Sequence, residues 1–571
     1  MSVDSIGNAL TQRTVSASGA ALSRPLITGT RHAVCAGHPL AAQAAFRILE
    51  AGGNAVDAGA AAGMVLSVVQ SDVVNFAGVA PMLVYSAQTR TVREIAGLGY
   101  WPKSMAPNYF AKHHGGTIPH GVLRTVIPAA PDAWITALAE FGTMTFSEVA
   151  DEAIRLARDG FIMYPLMSDI ISAFEAEYAR WPSNAQIYLP DGRPPKPGEL
   201  FVQRDLARTI QYMAHAERAA GGSRVKGLRA ARDAFYKGDI AAAILKYHRE
   251  NGGLLTAEDL DGYHTPVGDP VRAAFDGYDI YTAQPWCQGP CLVEMLRIAD
   301  ALRVGEQAHN CVAYIHLLAE AMKAAFVDRH RYFGDPAHVH VPLDDLLSAE
   351  HASRRARAIS AERATEPWTE AGTESIALDT SYVCVVDRHG NAISATPSDV
   401  SMDTPVIPGT GICPSSRGSQ SWADPAQASS VAPGKRPRLT PSPAMAIFSD
   451  GTLMPLGTPG GDVQLQAMAQ VLLNITAFGM DPQQAVDAPR FATYDFPDSF
   501  EPHASLPGRL TVEADIGQET IDALKSLGHD ALPWPERTWR AGAVCLIQHD
   551  PNRAVQLAAA DPRRPSYAIA R

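Results

Sequence analysis

The spacing of apolar residues changes near residue 380, and this change constrains the fold more than any other feature of the sequence. From about 130 to 330 the apolar residues recur at helical intervals, as in SEVADEAIRLARDG and CVAYIHLLAEAMKAAFVDRHRYFG. From 380 onward β-like segments dominate, among them TSYVCVVD, AMAIFSDGTLMPLG and AGAVCLIQHD. Long crossovers between such distant strands favour a layered α/β sandwich over two independent domains.

The first part of the chain predicts two helices, a hairpin and a polar arm. The helices are expected on either side of Gly52-Gly53-Asn54, which suits a helix end followed by a new helix start. PMLVYSAQTRTVREIAG alternates apolar and polar residues and predicts a strand, a turn and a strand. Residues 1–31 lack the apolar centre of an export signal, so we expect a flexible arm. Residues 340–378 become polar and predict a solvated, mobile connector.

Charge and hydropathy argue against two classes of partner. The 571 residues include 48 Lys and Arg against 60 Asp and Glu, a net charge of −12. Such a surface repels phosphate backbones, so we expect no nucleic-acid partner. The longest apolar run, residues 58–69, is too short to span a bilayer, so we expect no membrane partner. Small molecules and other proteins are left as partners.

The seven cysteines show no repeated spacing, and their number is odd. This usage indicates reduced thiols and therefore a cytoplasmic protein. Cys287 and Cys291 lack a second Cys/His pair at metal-ligand spacing. We expect them to pack as small hydrophobic residues, and we expect neither a metal nor an organic cofactor.

The stretch LDTSYVCVVDRHGNAIS, residues 378–394, places the hydroxyls of Thr380 and Ser381 at the mouth of an apolar β-run. Threonine is a good strand former, so a structural role is one interpretation of Thr380. A hydroxyl at that position also has the chemistry of a nucleophile, which is the second interpretation.

A second candidate feature is PLGTPGGDVQLQAM, in which a strand ends, turns at Gly460-Gly461 and opens a helix at Asp462. Paired glycines let backbone N–H groups point at a ligand beside the positive end of a helix. Such a turn can bind a phosphate or hold a developing oxyanion, or it can be a simple connection. The absence of GxxxxGK[ST] weakens the phosphate interpretation.

Two further loops carry candidate substrate contacts. In APGKRPRLTPSPAMAIF, proline-locked turns present Thr440 and Ser442 just before a strand. In GICPSSRGSQSW, Arg417 lies among small polar residues. This arginine is either a bidentate carboxylate ligand or a solvated loop charge.

The histidines support no serine-protease-like site, because none lies in HExxH or beside a GxSxG elbow. Hydroxyls and a Gly-Gly turn without a general-base histidine leave one economical route. The nucleophile can use its own α-amino group as the base, provided that it is the first residue of its chain. Thr380 is the residue to which this requirement points.

Several segments then carry a family resemblance. They are EAGGNAVDA (50–58), TSYVCVVDRHGNAIS (380–394), APGKRP, GTPGGD, GMDPQQAVDAPRF (479–491) and ADPRRP (560–565). In this order they resemble the gamma-glutamyltransferase family of N-terminal-nucleophile hydrolases, from about residue 32 to the C-terminus. The resemblance implies a four-layer αββα sandwich made as a self-cleaving precursor.

The resemblance also implies subunits and site residues. Cleavage would fall between Asp379 and Thr380, giving a large subunit (32–379 after the arm) and a small subunit of 571 − 379 = 192 residues (380–571). Thr380 would be the nucleophile and new N-terminus, with Ser398 in the place of a second family threonine that supports its amine. The N–H groups of Gly460 and Gly461 would form the oxyanion hole. Thr440 matches a family serine near the substrate.

The departures from the family bear on the substrate. Members that act on γ-glutamyl groups hold the α-carboxylate with an arginine where this chain has Tyr100. Val400 and the SRGSQ loop stand where those members have an asparagine and acidic residues that bind the α-amino group. The loop resembles simple amidases of the family, including oxamate amidohydrolases, and Arg417 would bind a carboxylate there.

The leading hypothesis is a self-processing threonine amidohydrolase that cleaves a small, anionic amide through an acyl-enzyme. One alternative is a γ-glutamyl hydrolase or transpeptidase acting on glutathione-like compounds. Another is an unprocessed, inactive relative that serves as a binding protein. The expected partners are the amide substrate and the two subunits themselves, with a homodimer of the processed pair also implied.

Overall fold

The structure is a computed structural model that describes residues 22–275, 277–368 and 380–571. The strands, in chain order, are β1 Ile27–Gly29, β2 Ala33–Ala36, β3 Met82–Ser86, β4 Thr91–Ile95, β5 Phe161–Ile162, β6 Leu200–Phe201, β7 Val267–Gly268, β8 Val271–Phe275, β9 Tyr278–Thr282, β10 Val383–Val386, β11 Ala392–Ala395, β12 Ala444–Phe448, β13 Leu453–Gly457, β14 Phe491–Thr493, β15 Arg509–Glu513, β16 Asp530–Trp534, β17 Cys545–Asp550, β18 Val555–Ala560 and β19 Tyr567–Ala570.

The helices, in chain order, are α1 Pro39–Glu50, α2 Ala55–Val69, α3 Tyr109–His113, α4 Ala130–Phe141, α5 Phe146–Asp159, α6 Pro165–Ala173, α7 Glu175–Ala179, α8 Pro182–Tyr188, α9 Arg204–Ala220, α10 Arg224–Tyr236, α11 Asp239–Glu250, α12 Ala257–Asp261, α13 Gly289–Ala301, α14 Val312–Tyr332, α15 Leu343–Leu346, α16 Ala349–Ala358, α17 Val463–Thr476, α18 Pro482–Asp487 and α19 Gln518–Ser526. Short 3-10 turns cover Val122–Arg124, Pro190–Gly192, Val304–Glu306, Arg417–Gln420, Ala514–Ile516 and Trp539–Ala541.

Two seven-stranded antiparallel sheets form the centre of the protein. The first has the order β1-β18-β17-β13-β12-β9-β8, and the second has the order β19-β2-β10-β11-β3-β4-β7. Each sheet combines strands from before and after residue 380, so the two halves of the chain form one body. The expectation that the last third supplies central strands is confirmed, because β10 and β11 lie in the middle of the second sheet.

The side chains of β10 show how the layers stack. Cys384 and Val386 point between the sheets, where they pack in one cluster with Met445 and Cys545 of the other sheet. Val383 and Val385 point the other way and join a cluster of helical residues that includes Val65. Alternate residues of a strand face opposite sides, so β10 is buried on both faces.

The first sheet is covered in the same way, and this completes the αββα sandwich. Ala446 and Leu456 pack with the helical residues Leu292, Leu318 and Leu472. These residues come from β12, β13, α13, α14 and α17. The helices therefore cover the outer face of each sheet, as the predicted fold class requires.

The predicted break between the first two helices is confirmed. Asn54 caps α2 by accepting hydrogen bonds from the backbone N–H groups of Val56 and Asp57, and Gly52 before it has a φ of 99°. A side-chain acceptor at this position satisfies N–H groups that have no partner within the helix. The connector predicted over 340–378 differs from its prediction where residues 349–358 form α16 and bury His351 and Ala352, and its residues 369–378 lie outside the described residues.

The structure also bears on the expectations for the N-terminal arm, for two cysteines and for a membrane. Ile27–Gly29, inside the predicted arm, forms edge strand β1 against β18, and the rest of the arm up to residue 21 lies outside the described residues. Cys287 and Cys291 are free and buried. Within the described ranges, no helix combines the length and the hydropathy needed to cross a bilayer.

Candidate active site

Thr380 lies just before β10, at the centre of the second sheet, and its side chain is buried. Its backbone N–H donates to the carbonyl oxygen of Val73 at 3.1 Å. Its φ is +79°, a value that is strongly disfavoured for a β-branched residue. Backbone strain of this kind costs about 1–3 kcal/mol and persists only where the surrounding structure imposes it.

Ser398 is the hydrogen-bond partner of the Thr380 hydroxyl. The Oγ of Ser398 lies 2.7 Å from Oγ1 of Thr380, and both side chains are buried. Ser398 is fixed by a backbone pair with Val79, in which each N–H donates to the carbonyl of the other at 3.0 and 3.1 Å. The structure therefore brings together the two hydroxyls that the sequence predicted.

Arg417 reaches the same pair of hydroxyls from the loop after β11. Its Nη2 donates to Oγ of Ser398, and its Nε lies 3.8 Å from the carboxylate of Asp399. The carboxylate of Asp399 also accepts from Ser415 Oγ at 2.5 Å and from the N–H of Ser416 at 3.0 Å. Because its side chain is only 1% exposed, Arg417 is a buried cation with a fixed position, not a solvated loop charge.

Gly460 and Gly461 form the turn between β13 and α17, with φ values of 126° and 54°. These values lie in the region that favours glycine, as the paired glycines of the sequence indicate. The turn lies at the same end of the sandwich as Thr380, because a side chain at Gly457 would fall within 2.3 Å of the ring of Tyr382. The start of α17 therefore follows a strand end that packs against Tyr382, two residues after Thr380.

Asp462, at the start of α17, anchors this turn. It forms a buried ion pair with Arg329 and accepts from Ser499, whose N–H and Oγ lie 2.8 and 2.7 Å from its carboxylate oxygens. The same guanidinium donates to Gln288 Oε1 at 2.6 Å. A carboxylate at a helix start is stabilised by the helix dipole, which adds to the rigidity of the turn.

Two glutamines connect Thr440 to the other elements. Gln420 Nε2 donates to Thr440 Oγ1 at 2.8 Å, and Gln420 belongs to the same 3-10 turn as Arg417. Gln288 Nε2 donates to the carbonyls of Thr440 and Gly461 at 2.9 and 3.2 Å. The predicted residues on the hairpin, the Arg417 turn, the Thr440 loop and the Gly-Gly turn therefore belong to one buried hydrogen-bond system.

Burial shifts the pKa values of several groups around this system. It raises the pKa of Asp399, although Arg417 and the serine donors act in the opposite direction. It lowers the pKa of Arg438 to about 9, and the nearby Arg329 adds to the lowering. The pKa of His503 is lowered to about 4, again mainly by burial, so this imidazole is a weak base at neutral pH.

Tyr100 has a different environment from the other predicted residues. It lines a cavity of about 280 Å³ with Tyr263, Glu258 and His264. The guanidinium of Arg436 lies 5.6 Å from the centre of its ring. Burial raises the pKa of the Tyr100 hydroxyl. A substrate contact for Tyr100 stays a prediction.

Two clusters within the described residues have a composition that suits a metal ion: His316, Glu320 and His529, and Glu294, Asp328 and His351. Both already contain compensating cations. Lys323 pairs with Glu320 at 2.6 Å, and Arg355 pairs with Asp328. Neither cluster includes a residue of the buried hydrogen-bond system that joins Thr380, Arg417, Thr440 and the Gly-Gly turn. We therefore interpret both clusters as ionic networks between helices.

Sequence reasoning missed Val73, Gln288 and Asp399. The carbonyl of Val73 has no signal in the sequence, because any residue offers one. Gln288 lies inside WCQGPC, where the cysteines were considered as ligands and the glutamine was not. Asp399 directly follows Ser398, and an acidic residue beside this candidate serine was the available signal.

Comparisons with known proteins show which family the chain belongs to. A family model described as Gamma-glutamyltranspeptidase matches residues 41–571. The chain is 32% identical to the Acylase ACY 1 proenzyme of Pseudomonas sp. (strain V22), over 92% of this chain and 91% of the relative. It is 30% identical to the Glutathione hydrolase-like YwrD proenzyme of Bacillus subtilis (strain 168), over 95% and 99%. The solved structure of cephalosporin acylase from Bacillus halodurans superimposes with a TM-score of 0.84 at 28% identity, over 97% and 98%.

Proposed function

We propose a specific reaction for this chain, which belongs to the gamma-glutamyltranspeptidase family and is an N-terminal-nucleophile hydrolase or acyltransferase. It cuts itself before Thr380 and then hydrolyses a small anionic amide. The observation that carries this proposal is the buried, strained Thr380 with its hydroxyl 2.7 Å from Ser398. Asp379, the other residue of the bond to be cut, lies outside the described residues.

The strain at Thr380 supports cleavage at this bond. The angle φ of Thr380 exists only while Thr380 is bonded to residue 379. Cutting the bond between residues 379 and 380 therefore removes the constraint that strains the backbone of Thr380. The released nitrogen would remain beside the carbonyl of Val73, which accepts a hydrogen bond from it at 3.1 Å in the intact chain. An amine held there is close to its own hydroxyl and can accept its proton.

The position of Arg417 supports a carboxylate near the amide that is cleaved. One atom, the Oγ of Ser398, lies between the guanidinium of Arg417 and the hydroxyl of Thr380. A substrate carboxylate bound by Arg417 would therefore lie within a few bonds of the carbonyl that Thr380 attacks. Oxamate, whose carboxylate and amide carbonyl are adjacent, has this arrangement. The arginine that γ-glutamyl enzymes use is replaced by Tyr100.

The substrate prediction compares ammonia release from oxamate with p-nitroaniline release from a γ-glutamyl anilide. We expect kcat/KM for oxamate to be higher by about tenfold or more, because the γ-glutamyl amino acid has lost its charged partners. Oxamide, which has no carboxylate, is the matched neutral control and should react about 10 to 100 times more slowly than oxamate. Faster turnover of the anilide would instead favour the γ-glutamyl hydrolase or transpeptidase alternative.

The pH dependence of the processed enzyme follows from the amine base. A free threonine α-amino group has a pKa of about 7.7–8.0, and only its neutral form accepts the hydroxyl proton. We therefore expect kcat/KM to rise about tenfold per pH unit below that pKa and to level off near pH ~8. A profile that is flat between pH 5 and 8 would show that another group is the base.

A further inference from the structure

The hydrogen bond between Arg417 and the hydroxyl of Ser398 has a fixed donor and a fixed acceptor. A guanidinium offers only donors, so Oγ of Ser398 must be the acceptor of the bond from Nη2 of Arg417. The hydroxyl of Ser398 has a single proton of its own to donate. Among the described residues, Oγ1 of Thr380 is the one other hydrogen-bond partner of that hydroxyl, at 2.7 Å.

A hydroxyl that accepts a bond from a cation becomes a stronger donor, because successive hydrogen bonds polarise one another. The chain from Arg417 through Ser398 to Thr380 therefore favours the orientation in which Ser398 donates to Thr380. In that orientation the proton of the Thr380 hydroxyl is not used in this bond and is available for transfer. The bond from Ser398 also stabilises Oγ1 of Thr380 while its proton is being transferred.

Asp399 fixes Arg417 in this role by two means. Its carboxylate accepts from Ser415 Oγ at 2.5 Å and from the Ser416 N–H at 3.0 Å, which holds the backbone immediately before Arg417. The same carboxylate is a buried counter-charge to the guanidinium, 3.8 Å from Nε. Asp399 is itself tied to the nucleophile, because its N–H and that of Thr380 both donate to the carbonyl of Val73 at 3.1 Å.

We infer that Arg417, held by Asp399, is a positioning residue that orients the Ser398 hydroxyl as a donor to Thr380 Oγ1, in addition to contacting substrate. The inference rests on the proposed function of Thr380. It concerns self-cleavage as well as substrate turnover, since the contacts are present in the uncut chain. This distinguishes it from a role in substrate binding alone.

Self-cleavage needs no reactant other than water. Oγ1 of Thr380 forms a bond to the carbonyl carbon of residue 379, and the bond from that carbon to the Thr380 nitrogen breaks. The hydroxyl proton ends on the released nitrogen, which leaves an ester. Water then hydrolyses the ester, restoring the threonine hydroxyl and leaving a carboxylate on residue 379. Ser398 stabilises Oγ1 as its proton leaves.

The test is the rate of self-cleavage of freshly translated full-length chain, measured without substrate. Arg417→Met should cleave about 10 to 100 times more slowly than wild type, the range expected for losing one charge-assisted hydrogen bond. Arg417→Lys, which keeps a cationic donor, should fall between the two. The Ser398→Ala/Arg417→Met double variant should be no slower than Ser398→Ala, because Arg417 acts through Ser398.

Arg232→Met is the matched control, because Arg232 forms a comparably buried pair with Asp132 among the outer helices. It should lose stability and keep the wild-type cleavage rate. If Arg417→Met does not fold, Asp399→Asn removes the counter-charge with little change of shape and should also slow cleavage. Unchanged cleavage in the folded Arg417 variants, or losses that multiply in the double variant, would overturn the inference. A wild-type chain that stays whole would overturn the proposed function and the inference together.

Discussion

Thr380→Ala should remain a single chain of 571 residues, whereas the wild-type protein should separate into chains of about 379 and 192 residues on a denaturing gel. In the proposed mechanism, Thr380 supplies both the hydroxyl that attacks the bond before it and the nucleophile for the substrate, and the variant lacks this hydroxyl. We expect amidase activity to fall by about 10⁴-fold or more, as for other removals of a nucleophile. Gel electrophoresis and ammonia release from oxamate measure the two effects.

Ser381→Ala is the control for this prediction, because Ser381 carries the neighbouring hydroxyl and its N–H binds the carbonyl of Pro397 at 3.0 Å. It should cleave and turn over substrate like wild type. Thr380→Ser keeps a hydroxyl at the site and should restore cleavage. If Thr380→Ala is cut normally while Ser381→Ala is not, Ser381 is the nucleophile and our assignment is wrong.

Gly460→Ala should have the second large effect, a loss of about 10²–10³-fold in kcat, as when an oxyanion donor is removed. A Cβ at Gly460 would meet no atom closer than 3.6 Å, so crowding is not the cause. The cause is the φ of 126°, which an alanine does not adopt without strain, so the turn must rearrange and its N–H groups must move. The measurement is kcat on processed protein, with the melting temperature recorded beside it.

Gly451→Ala tests whether the loss comes from the site or from general destabilisation. Gly451 lies in the turn between β12 and β13 with a φ of 90°, and a Cβ there would lie 3.4 Å from Pro551. Both substitutions should cost about 1–3 kcal/mol of stability, because both put a Cβ on a left-handed backbone. Only Gly460→Ala should lower kcat. An equal loss of kcat in both variants would remove the evidence for an oxyanion hole at Gly460.

The αββα architecture was predictable because it is encoded in local periodicity and in motif order. The continuous apolar run YVCVV within TSYVCVVD predicts a strand buried on both faces, and β10 has apolar, buried residues on both faces. The glycines of GTPGGD predict a left-handed turn, and both have positive φ. Both features follow from the type of residue at each position, and the sequence gives that type directly.

The contacts that orient the nucleophile were not predictable, because they depend on atoms that are far apart in the chain. The carbonyl of Val73 receives the N–H of Thr380 across about 300 positions, and no residue type encodes that contact. The sequence presented Arg417 as either a ligand or a loop charge. Its burial and its bond to Ser398 become visible only when the loop is packed against the hairpin.

The most direct test of the account is the N-terminal sequence and intact mass of purified, demonstrably active protein. Two chains are expected, the smaller of which begins Thr-Ser-Tyr-Val-Cys and contains the 192 residues from 380 to 571. Active protein that consists of one uncut polypeptide would contradict the account, because the amine that serves as the base would then be part of a peptide bond.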